Sequence, residues 1–170
     1  MEFNEAKEQF INSWGSLGSS WGVSRTMAQV HALLLITHDP ISAEDVMEAL
    51  NISRGNANMS LRALIDWGLI EKKVKLGERR EYFLAEKDLW KVAMRIAKER
   101  RKRELEPIMS ALSQVKDIDP ETGDKKEIAQ FKGQMEEIED FAGRVDGLLN
   151  KLATADENWF TSLLARVLIK

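Results

Sequence analysis

The chain has 170 residues, 44% of them hydrophobic and 31% charged, which fits one domain, or a small module plus an appendage, with enough apolar material for a core and no case for wholesale disorder. It contains no Cys, which excludes a disulfide framework, a thiolate zinc site and a cysteine nucleophile; no apolar run approaches the ~18 residues of a membrane span, and the acidic start Met1-Glu2-Phe3-Asn4-Glu5 lacks a signal peptide's basic and apolar regions, so a cytoplasmic protein is expected. The net charge of −3 hides a division: Ser53 to Arg103 hold 15 Lys and Arg against 7 Asp and Glu, or +8, while the remaining residues hold 10 against 21, or −11. A basic centre between acidic flanks points to a polyanionic partner, or else to a solvated face that binds nothing.

Phe3, Phe10, Trp14, Leu17 and Trp21 recur at helical spacing and predict an amphipathic N-terminal helix within residues 1–24. Gly15, Ser16, Gly18, Ser19 and Ser20 crowd around the two Trp residues. Glycine costs helix stability, so close approach of another backbone is the expected reason for it. From Arg25, the residues Met27, Val30, Leu33, Leu34, Leu35 and Ile36 give a second helix that is apolar nearly all round and therefore central. It stops near His38-Asp39-Pro40. Ser42-Ala43-Glu44-Asp45 opens the next helix, with Ser42 capping and Asp45 reaching back. Val46, Met47 and Leu50 form its buried side. After a break at Asn51-Ile52, Ser53 caps a helix with Ala57, Leu61, Leu64 and Ile65 on one face, and Gly68 closes it.

Two β-prone runs, Leu69 to Lys75 and Glu81 to Leu84, flank Leu76-Gly77-Glu78-Arg79-Arg80 and read as a hairpin. Helix returns from Ala85, with Leu89, Val92, Ala93 and Ile96 inside, and Pro107 is expected to kink or interrupt it. After a connector from Asp117 to Asp124, Ile128, Phe131, Met135, Ile138, Ala142, Val145, Leu149 and Leu152 alternate spacings of three and four. That is a heptad stripe of the kind that forms a dimer seam. Thr154 and Glu157 suggest a fresh cap for a short last helix carrying Trp159, Phe160, Leu163, Leu164 and Val167.

The order helix, short helix, tight break, helix, hairpin is that of a winged helix-turn-helix. The expected fold is therefore mainly α with a small β-hairpin: a DNA-binding domain over 25–86, a helical dimerisation region over 87–170, and an N-terminal helix over 1–24 serving the core or the dimer. A helix of this kind reads base edges from the major groove with outward side chains near its N-terminal end. Around the buried Leu61, Asn56, Met59 and Arg62 point outward, with Ser53, Arg54 and Asn58 near the leading end. Asn pairs with adenine and Arg with guanine. Arg79 and Arg80 sit at the hairpin tip, and Lys72, Lys73 and Lys75 on the strand before it, suited to phosphate or a narrow minor groove.

At these residues the sequence resembles the MarR superfamily, and within it the GbsR-type branch of bacterial transcriptional regulators. The matching text includes Ser20-Trp21-Gly22, Pro40-Ile41-Ser42-Ala43-Glu44, Ser53-Arg54-Gly55-Asn56, Leu61-Arg62-Ala63-Leu64, Trp67-Gly68-Leu69-Ile70 and the wing Gly77-Glu78-Arg79-Arg80-Glu81-Tyr82-Phe83. The resemblance implies a homodimer, built from the terminal helices, on a pseudo-palindromic double-stranded operator. It implies DNA contact by Ser53, Arg54, Asn56, Asn58, Arg62, Arg79 and Arg80. The branch is similar to regulators, mostly repressors, of genes for choline and glycine betaine uptake and synthesis.

Trp14, Trp21, Trp67, Tyr82 and Trp90 are candidates for an aromatic cage around such a quaternary ammonium effector. Packing as core or interface aromatics is the favoured reading. His31 and His38 read as core or capping residues, and no metal or other cofactor is expected. Lys98, Arg100, Arg101, Lys102 and Arg103 either touch flanking phosphates or pair with Glu99 and Glu104. No phosphate-cradling loop or nucleophile–base pair argues for an enzyme. The alternative to DNA binding is a winged helix used only as a protein–protein adaptor.

Overall fold

The computed structural model describes residues 1–20, 22–115, 118–119 and 122–154, the side chains of 152–154 excepted. Trp21, the side chain of Leu152 and the expected last helix lie outside the described residues. The chain divides into two compact units, Met1–Val92 and a second beginning at Ala93.

In the first unit, α1 (Phe3–Ser20) packs against α2 (Arg25–Ile36). The α2 helix buries Met27, Ala28, Val30, His31, Ala32 and Leu34 and is the central element its sequence predicts. Ser42 opens α3 (Ala43–Leu50) with the expected capping box. Its hydroxyl accepts from the Asp45 N–H at 3.2 Å, and its own N–H donates to the Asp45 carboxylate at 2.7 Å. Asn51 ends α3 in the left-handed region (φ 49°), a conformation that Asn tolerates better than most residues. α4 (Arg54–Asp66) follows, and Gly68, at φ 70°, carries the chain out of it.

β2 (Ile70–Val74) and β3 (Glu81–Ala85) form the expected antiparallel hairpin, with Lys72 opposite Phe83 and Lys73 opposite Tyr82. A short strand absent from the sequence reading, β1 (Ile41–Ser42), pairs with the other edge of β3, so the sheet order is β1-β3-β2. Lys87, just beyond β3, donates from Nζ to the carbonyls of Leu34 (2.8 Å), Leu35 (2.7 Å) and Thr37 (2.5 Å). A cation there satisfies carbonyls that the end of a helix leaves open. This lysine, and not the exposed His38, finishes α2.

The aromatic stripe of α1 supplies only part of its contact with α2, through Trp14 against His31. Ile11 and Gly15 are the buried residues of α1, while Phe3 and Leu17 are exposed. The expected close approach is real: a Cβ on Gly18 would lie 2.5 Å from the Cβ of Ala28, and one on Gly15 would lie 2.7 Å from the Gln29 side chain. His31 is 3% exposed, 6.1 Å from the Trp14 ring, and its Nε2 has no hydrogen-bond partner among the described residues. Burial, with a smaller push from the Lys87 cation, lowers its pKa from 6.5 to about 4.

α5 (Leu89–Arg100) carries the chain into the second unit. Pro107 does not interrupt the helical path. A π-helical segment, Arg101–Leu105, precedes α6 (Glu106–Val115), and the Glu106 N–H bonds to the Arg101 carbonyl. In a regular helix the proline ring would press on the carbonyl four residues back, and the wider turn falls where that strain would arise. The guanidinium of Arg101 grips both oxygens of Asp146 on α7 (Lys125–Thr154), and Asn150 donates to the same carboxylate. Among the described residues of this unit, Leu112 and Ala142 are the buried apolar ones. Along the α7 stripe Ile128, Met135, Val145 and Leu149 are half-buried, while Phe131 and Ile138 are exposed.

Two predictions follow from this packing. Gly18→Ala pushes a methyl into Ala28, whose Cβ cannot swing aside. Overpacking costs about 1–3 kcal/mol and the helix regains about 1 from alanine, so urea unfolding should show a net loss of up to about 2 kcal/mol. Gly15→Ala, which meets the movable side chains of Gln29 and Arg25, should cost less. His31 binds its proton more readily unfolded than folded, so its contribution is complete above about 6.5 and is lost as pH falls toward about 4. Between pH 7 and 4.5 the protein should lose about 2–3 kcal/mol more stability than its His31→Leu variant. Parallel pH profiles would refute this.

Candidate nucleic-acid interface

The reading helix is assembled locally. Asn51 turns the chain, and the Ser53 hydroxyl accepts the Asn56 N–H at 3.2 Å, capping α4. Ala57, Ser60, Leu61 and Leu64 are buried. Ser53, Arg54, Asn56, Asn58, Met59 and Arg62 are all exposed, as the helical spacing predicts. At 100° per residue, the centre line of the outward face runs through Gly55, Met59, Arg62 and Asp66, with Asn56 and Asn58 on its flanks. The sequence carries Gly55 only within the Ser53-Arg54-Gly55-Asn56 text and assigns it no contact, although it stands one turn before Met59 on that line.

The wing supplies a second basic surface with its own internal bonding. Gly77 takes φ 84° at the tip, and the Glu78 N–H closes the turn on the Lys75 carbonyl at 3.1 Å. Tyr82, buried on β3, donates its hydroxyl to the Glu78 carboxylate, and Lys75 Nζ lies 4.0 Å from the centre of the same ring. That bond and the adjacent carboxylate push the Tyr82 pKa up. Lys72 pairs with Glu81 at 2.8 Å and Lys73 with Glu71 at 2.7 Å. Arg79 and Arg80 are exposed and make no ion pair among the described residues. Asp45 is held below the usual carboxylate range by the Ser42 N–H and hydroxyl, with smaller help from Arg80 and Lys75. The wing's cations thus stand within electrostatic reach of the start of α3.

The described aromatic candidates occupy separate surroundings. Trp14 packs with Phe10 (5.5 Å between ring centres) and His31 on the α1–α2 side. Trp67 is buried at the end of α4, Tyr82 lies under Lys75, and Trp90 is half-buried on α5. In the basic run after the wing, Arg100 pairs with Glu104 through two bonds of 2.9 and 3.1 Å, as i, i+4 spacing allows, and Arg101 is committed to Asp146. Among the described residues no group of His, Asp or Glu is arranged to hold a metal ion, and no helix is long and apolar enough to cross a membrane.

Residues 21–81 match the model of the MarR family, and the helices of the first unit with their three-stranded sheet form a winged helix. Among solved structures the chain is similar to a protein described as a transcriptional regulator, with a TM-score of 0.66, 19% identity, and coverage of 87% of this chain and 95% of that one. It is also similar, more distantly, to a mutant of S. aureus MepR bound to an oligodeoxyribonucleotide, with a TM-score of 0.40, 15% identity, and coverage of 79% and 88%. None of the curated proteins matches.

Proposed function

We propose that this chain is a sequence-specific DNA-binding transcriptional regulator that acts as a homodimer. The observation that carries the reading is the pairing of two exposed basic surfaces within one unit: α4, with Arg54 at its leading end and Arg62 on its outward face, and the wing tip with Arg79 and Arg80. In this reading α4 enters a major groove, its capped N-terminus meets phosphate, and the wing lies on the flanking backbone or minor groove. Residues 25–86 do the reading, and 1–24 and 87–170 serve dimerisation. The exposed Phe131 and Ile138 on the α7 stripe support a helical partner there. Two subunits would present half-sites about one helical turn, ~34–36 Å, apart.

Repression is the mode we assign, on the resemblance to the GbsR-type branch. The same resemblance makes choline or glycine betaine the effector class to try first, with the half-buried faces of Trp14 and Trp90 as the surfaces to watch.

Arg62→Ala should weaken binding to a selected duplex by about 1–3 kcal/mol, with relaxed preference at one base pair. Arg79→Ala with Arg80→Ala should flatten the dependence of affinity on salt, since fewer counterions are released. Fluorescence anisotropy across a salt series reads both; unchanged affinity and slope would overturn the assignment of these surfaces. Val145→Glu places a charge in the α7 seam and should shift the protein from dimer toward monomer in sedimentation. A dimer of unchanged strength would move the interface elsewhere.

A further inference from the structure

We propose that Met59 reads the 5-methyl group of a thymine, one in each half of the DNA site, and so determines part of the sequence preference. This rests on the reading above, in which α4 lies in a major groove. Met59 is 69% exposed, at the centre of the outward face and beside Arg62. Its neighbours on that face are charged or amide side chains, glycine and, one turn on, the single methyl of the half-buried Ala63. The edges of base pairs in the major groove are polar donors and acceptors everywhere except at the thymine methyl, which makes thymine the one base with an apolar feature to offer. A thioether is at best a weak acceptor and gains nothing from the polar edges. Its unbranched, polarisable body suits contact with a methyl group.

Gly55 supports this independently. A Cβ there would meet only the Ser53 hydroxyl oxygen, at an ordinary 3.9 Å, and the residue is within a helix with no positive φ. The fold therefore gives it no steric reason to be glycine, while glycine lowers helix stability relative to alanine. A bare backbone one turn before Met59 lets the leading end of α4 sit closer to the groove floor. That is the approach a methyl contact by Met59 requires.

The test begins with duplexes selected from a random pool by the wild-type protein. Each thymine is then replaced singly, and in symmetric pairs, by deoxyuridine, which lacks only the methyl group. At one position per half-site uracil should weaken wild-type binding about fourfold, the worth of roughly 0.8 kcal/mol for one buried carbon group. Met59→Ala should bind thymine and uracil duplexes equally at that position, and Met59→Leu should keep the difference. Alanine at this exposed helical site preserves the fold, which thermal unfolding checks. Uracil tolerated by wild type at every position, or a uracil penalty undiminished in Met59→Ala, would overturn the proposal while leaving DNA reading intact. Failure of the wild type to enrich any sequence would instead remove DNA reading itself, and the proposal with it.

Discussion

Ser42 ties the two basic surfaces to one frame. It is 1% exposed, its hydroxyl and N–H both bond to Asp45 at the start of α3, and its backbone pairs with Tyr82 in β3. A buried hydroxyl left without partners is costly, so this residue tolerates few alternatives. Through it the first turn of the short helix and the returning strand of the wing share a single residue. A slip of one residue in that pairing would turn Tyr82 to the other face of the sheet, and with it the support beneath Lys75 and Glu78. The angle between α3 and α4 is then set by the left-handed Asn51 and the Ser53 cap, so the placement of every outward side chain on α4 is inherited from a few buried polar bonds.

The electrostatics are more selective than the composition implies. The segment from Ser53 to Arg103 is +8 by count, yet many of its cations already have carboxylate partners. Lys72 and Lys73 face glutamates along β2 and β3, Arg100 is held by Glu104, and Arg101 belongs to the helical unit through Asp146. Exposed pairs like the first two contribute little stability, but they reduce the field that a polyanion would meet along the strand. Among the described residues, the exposed basic groups without a carboxylate partner include Arg54 and Arg62 on α4 and Arg79 and Arg80 at the wing tip, with Lys98 and Lys102 further along the chain.

The helix-turn-helix and the hairpin could be read from the sequence because their signals are local: caps three residues from their partners, a stripe at helical spacing, a glycine at a turn. Long-range features could not. β1 spans two residues and exists only because β3, some forty positions later, offers an edge. Lys87 resembles any surface lysine until the end of α2 is placed against it. On α1 the eye follows the aromatics, of which Trp14 does meet α2 at His31, but the closest approach is at Gly15 and Gly18, and hydropathy assigns no weight to a missing side chain. On α4 the outward residues were foreseeable from Leu61 alone, since one buried position fixes the phase of a regular helix. Gly55 stood in the sequence only as part of the family text, because it takes the open space around it, with nothing nearer than the Ser53 hydroxyl at 3.9 Å, to show that the fold does not need a glycine there.

The π-helical segment at Arg101–Leu105 has a consequence for how this chain could vary. Its carbonyl at Arg101 is met from Glu106, a reach longer by one residue than in a regular helix. An extra residue is therefore accommodated inside an otherwise continuous rod. Loss of one residue between Arg101 and Leu105 would let the regular ladder close while the helix beyond keeps its present phase, because the widened turn already takes up the surplus residue. Asp146 would still meet the same side of the helix that carries Arg101. A second deletion, with no bulge left to consume, would turn the later residues by about 100°, so this spot is a slack link that tolerates one change of length and no more.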